Sequence, residues 1–259
     1  MPFTTLTVTP TVTLLLALAA FVAGVVDAIA GGGGLITFPA LIAAGVPPHL
    51  ALGTNKGQSV FGSAASLTSF ALAKKVSTRR ALAAFPLGFI GSLLGARLVL
   101  YVPPSVLKPL VLVLLVAVAA FLAFRPSQQQ PTATIAAKWH PLAAAVIGIT
   151  VGCYDGFFGP GTGTFLIIAT VALLGDTLTE ASGNAKVVNF ASNLAAVLMF
   201  AFNAKILWRI ALPMAAAQFF GSVLGARLAV KGGEKVIRTM VLCVVTVLVC
   251  KLGWELWHG

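Results

Sequence analysis

Acidic side chains are scarce in this chain of 259 residues. It has six Asp and Glu against seventeen Lys and Arg, and charged residues make up only 9% of it. With 59% hydrophobic residues and a mean hydropathy of +1.01, it carries more apolar sequence than a soluble core of this length needs. Cysteine is equally sparse. Cys153, Cys243 and Cys250 are too few and too embedded in apolar sequence for a disulfide framework. The three histidines, His49, His140 and His258, are scattered and have no metal-ligand spacing. There is no Gly-x-Ser-x-Gly elbow, and no nucleotide loop ending in Gly-Lys-Ser/Thr. These absences argue against an enzyme and against a resident metal or cofactor. The excess of bases, +11 overall, lacks the interleaved aromatics of a nucleic-acid surface. It sits instead in short loops and at span ends, where it orients a polytopic membrane protein.

The N-terminal apolar run could be taken for a signal peptide, since Ala28-Ile29-Ala30 resembles a cleavage site. No Lys or Arg precedes that run, however, and its most unusual feature recurs mid-chain. That feature is Asp27-Ala28-Ile29-Ala30-Gly31-Gly32-Gly33-Gly34. Glycine costs about 1 kcal/mol relative to Ala inside a helix, so four in a row mark a break. The second copy is Asp155-Gly156-Phe157-Phe158-Gly159-Pro160-Gly161-Thr162-Gly163, and the offset from 27 to 155 is 128 residues. Two blocks of Gly-Ser-x-Leu-Gly-Ala-Arg-Leu start at Gly91 and Gly221, an offset of 130. Lys56 and Lys186 share that offset, as do Ser63 and Asn193.

This is an internal duplication. Residues 1–124 form the first repeat, 125–140 a polar linker with Pro and Gln, and 141–259 the second repeat. The sequence predicts an all-α polytopic membrane fold with about five hydrophobic segments per repeat. In the first half they cover 11–30, a short piece 35–44, 49–73, 81–101 and 107–124. In the second they cover 141–158, a short piece 164–174, 181–202, 210–230 and 236–256. If each short piece completes a crossing, the repeats insert in opposite orientations. The basic loops 74–80, 125–138 and 231–238 then share the cytoplasmic side of a bacterial membrane, with both termini outside. If the short pieces are re-entrant, the repeats are parallel. The charge distribution favours the inverted arrangement. The small residues of the Gly-Ser-x-Leu-Gly blocks read as helix packing, with Arg97 and Arg227 as snorkelling anchors.

A broken helix appearing once in each half is the sequence pointer to a transporter site. A helix restarting after a break exposes free N–H groups and the positive end of its dipole, which suit an anion. The expected binding residues are therefore Gly31, Gly32, Gly33 and Gly34 with Gly159, Gly161, Thr162 and Gly163. Gly33 and Gly161 correspond, so each is expected to line the site from its half. Lys56 and Lys186, flanked by Asn55 and Gln58 and by Asn184 and Asn189, add cationic and amide donors for an oxyanion. A lysine within a span needs a partner or an aqueous pocket. Asp27 and Asp155 are the acids set deep in apolar sequence. They are open to three roles: taking up protons for coupling, balancing the two lysines, or accepting from N–H groups at the breaks.

The first break with Phe38-Pro39 and Ala51-Leu52-Gly53-Thr54-Asn55 resembles the TauE/SafE family of sulfite exporters. The segment from Tyr154 to Gly163, with Asn184-Ala185-Lys186, is similar to that family's second repeat. The resemblance implies a secondary transporter moving sulfite or related sulfur-containing or organic anions outward. The partners expected are a small anionic substrate and the lipid bilayer, with no nucleic acid. Proton or sodium coupling is expected to be possible, and a homodimer is compatible with the sequence.

Overall fold

The computed structural model describes residues 9–124 and 135–258. Residues 125–134 of the linker, and the side chains of Cys243, Cys250 and His258, lie outside the described set. Among the described residues there is no strand. The helices are α1 (Pro10–Ala30), α2 (Gly34–Ala43), α3 (Pro48–Leu72), α4 (Thr78–Tyr101), α5 (Pro104–Phe124), α6 (His140–Phe157), α7 (Thr162–Leu174), α8 (Leu178–Phe202) and α9 (Trp208–His258), with one 3-10 turn at Ala137–Trp139. Their ends follow local chemistry. Thr9 caps α1 through its side chain, and Pro10 opens it at a position that needs no N–H. Thr177 and Glu180 form a reciprocal capping box at the start of α8. Gly31 and Gly175, both left-handed, close α1 and α7.

Among the described residues, four stretches are long and apolar enough to cross a membrane: α1, α4, α8 and Trp208–Gly233 of α9. The stretch labelled α9 is two helices meeting at a kink at Gly233, whose backbone is non-helical (φ 56°, ψ −148°), in keeping with the two segments the sequence suggests. The short helices α2 and α7 have 10 and 13 residues. A crossing needs about 20, so neither spans alone.

The halves interlock rather than lie side by side. α1 packs on α9 and α6 packs on α4, each pair joining one half to the other. The Gly-Ser-x-Leu-Gly blocks make this possible. A Cβ at Gly91 or Gly95 would sit 2.3 Å from the Ile149 carbonyl or 1.9 Å from that of Cys153. One at Gly221 or Gly225 would sit 2.1 Å from the Phe21 carbonyl or 2.5 Å from that of Val25. No side chain fits at such distances, so helix backbones touch, which is how membrane helices gain dispersion contacts without a hydrophobic drive between them. Arg97 and Arg227 are exposed, as anchors should be. Leu14, Leu18, Leu82, Leu98, Phe220 and Leu228 form part of an exposed apolar exterior suited to lipid. The core lies between the halves, where Phe38 of α2 meets Phe158 edge-on at 5.9 Å. The helices α3 and α8 run through it and carry most of the buried polar residues.

Candidate functional site

The two breaks face each other. A Cβ on Gly31 would lie 2.4 Å from the Cα of Gly163, and one on Gly163 would lie 2.4 Å from the Cα of Gly31. Only glycine at both positions permits this approach. The last carbonyls of α1 find their donors in the other half. Thr164 donates to the Ala30 carbonyl at 2.8 Å, and Ser182 to that of Ile29 at 3.1 Å.

Two ion pairs cross between the halves. Lys56 Nζ of α3 lies 2.7 Å from Asp155 Oδ1 of α6, and Lys186 Nζ of α8 lies 2.9 Å from Asp27 Oδ2 of α1. The two pairs exchange under the sequence offsets, since each lysine takes the other repeat's aspartate. Both lysines are buried, Lys56 to 2% and Lys186 to 0% exposure, so neither snorkels. Asp155 also accepts from Thr162 at 2.9 Å and, through Oδ2, from Ser192. Asp27 accepts from the Gly33 N–H at 3.4 Å, and Lys186 donates a further short bond to the Asp27 carbonyl. Of the three roles open to the aspartates, the geometry displays two: balancing the lysines and accepting at a break.

A polar cavity lies between these pairs. Its free volume is about 340 Å³, counting the open space at its mouth. Its wall includes Asp27, Gly31 and Gly34 from the first break, and Asp155, Gly159, Thr162 and Gly163 from the second. Asn55, Lys56, Ser59, Asn189, Asn193 and Gln218 complete it. Among the described residues, no group accepts from the backbone N–H of Gly34 or Gly163. Both start short helices, so free N–H groups and dipole ends meet the cavity. The asparagines are oriented from behind. Asn55 Oδ1 accepts from Thr37 at 2.6 Å and from Gln58 Nε2 at 3.1 Å. Asn189 Oδ1 accepts from Asn193 Nδ2 at 3.1 Å. With their oxygens so engaged, both present NH₂ groups as available donors. Lys56 also donates to Asn193 Oδ1 at 3.2 Å, and Asn193 Nδ2 reaches its own counterpart, Ser63, at 3.4 Å. The arrangement can hold a small anion by neutral donors and helix ends.

Several expected residues sit elsewhere. Gly33 is right-handed (φ −57°), and a Cβ there would strike Asp27 Cβ at 2.7 Å. Gly161 has φ 84°, and its Cβ would strike Val118 of α5 at 2.7 Å. Neither lines the cavity, because the turns rotate them toward their own packing partners. Gly32 and Gln58 are also absent from the wall, and Gln58 acts through Asn55. Asn184 is displaced furthest from its expected role. It accepts from the Ser77 N–H at 2.8 Å and donates to Asp176 at 2.9 Å, beside the Arg80–Asp176 ion pair. Its counterpart Thr54 accepts from the Leu207 N–H at 3.0 Å, so both positions tie down the chain entering a helix of the other segment. Lys186 reaches the cavity only through Asp27. Asn193, noted in the sequence only as the match of Ser63, also lines the wall, with Ser59 and Gln218. Gln218 was detectable as an amide inside an apolar segment, the kind of residue that must face the bundle interior.

Comparison with known proteins places relatives beside this chain. A family profile described as sulfite exporter TauE/SafE matches residues 16–252. The chain is 37% identical over 234 residues to the probable membrane transporter protein ORF9 of Sinorhizobium sp, covering 90% of this chain and 89% of that one. It is 38% identical over 240 residues to the probable membrane transporter protein YfcA of Escherichia coli K12, covering 93% and 88%. A probable membrane transporter protein of Haemophilus influenzae is 37% identical over 239 residues, covering 91% and 92%. No solved structure gives a significant match.

Proposed function

The chain belongs to the TauE/SafE family, and from that premise we propose that it is a secondary transporter that exports sulfite or a related small sulfur-containing or organic anion across the bacterial cytoplasmic membrane. The observation that carries this reading is the meeting of the two breaks at one polar cavity, with the free N–H groups of Gly34 and Gly163 and the amides of Asn55 and Asn189 on its wall. The four charged residues of the two ion pairs cancel formally. A bound anion therefore adds negative charge in a low-dielectric setting, which favours a companion cation, a proton or a sodium ion. Purified protein should bind sulfite, and Lys56→Ala and Lys186→Ala should each weaken that binding at least tenfold. Calorimetry across sulfite, methanesulfonate and acetate tests this. Unchanged affinity in both variants would remove the lysines from the site, and no binding by any of the three anions would remove the oxyanion reading.

The repeats 1–124 and 141–259, joined by the linker 125–140, are inserted in opposite orientations in this proposal. The reciprocal ion pairs support a two-fold relation between the halves. Ser77 and Leu207 are counterparts at the entries to α4 and α9, and in the inverted arrangement they face opposite sides of the membrane. Single cysteines placed at each, in a background lacking the native three, should react with impermeant maleimide from opposite faces. Reaction from the same face would establish parallel repeats instead.

A further inference from the structure

Gln218 is buried to 2% exposure, lines the cavity, and leaves its Oε1 without a partner among the described residues. Two glycines make room for it. A Cβ at Gly24 would lie 3.1 Å from Gln218 Cγ, and one at Gly62 would lie 2.6 Å from Cγ and 2.8 Å from Nε2. In the other half the counterparts of Gln218, Gly24 and Gly62 are Gly88, Gly152 and Ser192. The helix backbones meet equally closely in both halves, with a Cβ at Gly152 2.5 Å from the Gly88 carbonyl and one at Gly24 2.5 Å from the Gln218 carbonyl, but no side chain leaves Gly88. Ser192 fills the remaining space and satisfies Asp155. The fold thus contains, at the related position, a way to pack this crossing with no long side chain. The first half instead holds a carboxamide whose oxygen is desolvated and unpaired, which opposes stability unless something supplies the missing bond. Gln58 Oε1 is also unpartnered, but Gln58 lies behind Asn55 and its Nε2 is committed to Asn55 and Ser59.

We infer that the Gln218 carboxamide contacts the bound oxyanion directly and, having no counterpart across the molecule, is a specificity-determining group on one side of an otherwise paired site. The inference rests on the oxyanion reading proposed above. A carboxamide can turn either end to a ligand, so it suits an oxyanion with or without a bound proton. A carboxylate in its place could only accept.

The test uses the purified full-length protein with sulfite as the probe. Gln218→Met keeps the unbranched stem between Gly24 and Gly62 and removes both polar atoms. It should weaken sulfite binding tenfold or more, while the melting temperature of the ligand-free protein stays equal or rises, because an unpaired buried oxygen is gone. Gln218→Glu should weaken binding at least as much by setting a carboxylate against the anion. Wild-type affinity in folded Gln218→Met would overturn the inference and leave the oxyanion site standing. A fall in melting temperature together with affinity in Gln218→Met would also overturn it, by showing a packing role. If the wild-type chain binds neither sulfite, methanesulfonate nor acetate, the oxyanion site fails and this inference fails with it.

Discussion

The two ion pairs occupy matching places in a duplicated chain, yet their surroundings differ. Asp155 accepts from Lys56, Thr162 and Ser192, and its side chain is 3% exposed. Asp27 accepts from Lys186 and, at 3.4 Å, from a backbone N–H, and its side chain is 12% exposed. The cause lies in the sequence of each half. The positions that carry Thr162 and Ser192 in the second repeat carry Gly34 and Gly62 in the first. Duplication supplied the same skeleton twice, and loss or gain of two hydroxyls divided the labour. The Lys56–Asp155 pair is the more firmly held. The Lys186–Asp27 pair is the looser one, with acceptor capacity to spare on its more exposed aspartate.

The strongest way to break this comparison is to remove each carboxylate in turn. Asp155→Ala leaves Lys56 buried with only Asn193, and stripping one member from a buried pair costs about 3–5 kcal/mol. Asp27→Ala should cost less, because Lys186 keeps its bond to the carbonyl of residue 27 and solvent reaches that side. Thermal melting of the two purified variants measures the difference, and a larger loss for Asp27→Ala would reverse the assignment of rigid and loose pairs. A smaller effect sharpens it. Thr162→Val and Ser192→Ala should each cost about 1.5–3 kcal/mol, the range for a hydrogen bond to a charged group. Combined in one chain, they give the second pair the sparse surroundings of the first. Melting temperatures within error of wild type for both single variants would show that the hydroxyls do not hold Asp155.

Much of this was legible in the residues. The duplication, its offsets, the breaks and the packing role of Gly91, Gly95, Gly221 and Gly225 all follow from spacing, because close helix contact requires small residues at fixed intervals. Balancing the two lysines was one of three readings for Asp27 and Asp155, and spacing along the chain had no means to choose among them or to say that each pairs with the lysine of the other repeat. The direction of Asn184 was out of reach for a similar reason. Its neighbourhood resembles that of Asn55, but the helix turns its side chain toward Asp176 and Ser77.

What the sequence by itself determined is local or periodic: apolar segments of membrane length, glycines that end helices, and a repeat that places like residues at like positions. What only the tertiary structure decided is which side of each turn faces the cavity. Gly31, Gly34, Gly159 and Gly163 line it, while Gly33 and Gly161 pack against Asp27 and Val118. Neighbouring glycines are alike as residues, and their direction is set by the φ and ψ of a turn held between two halves that meet from distant parts of the chain. The same holds for Gln218, whose surroundings come from α1, α3 and α9 together and exist only once those helices have closed on one another.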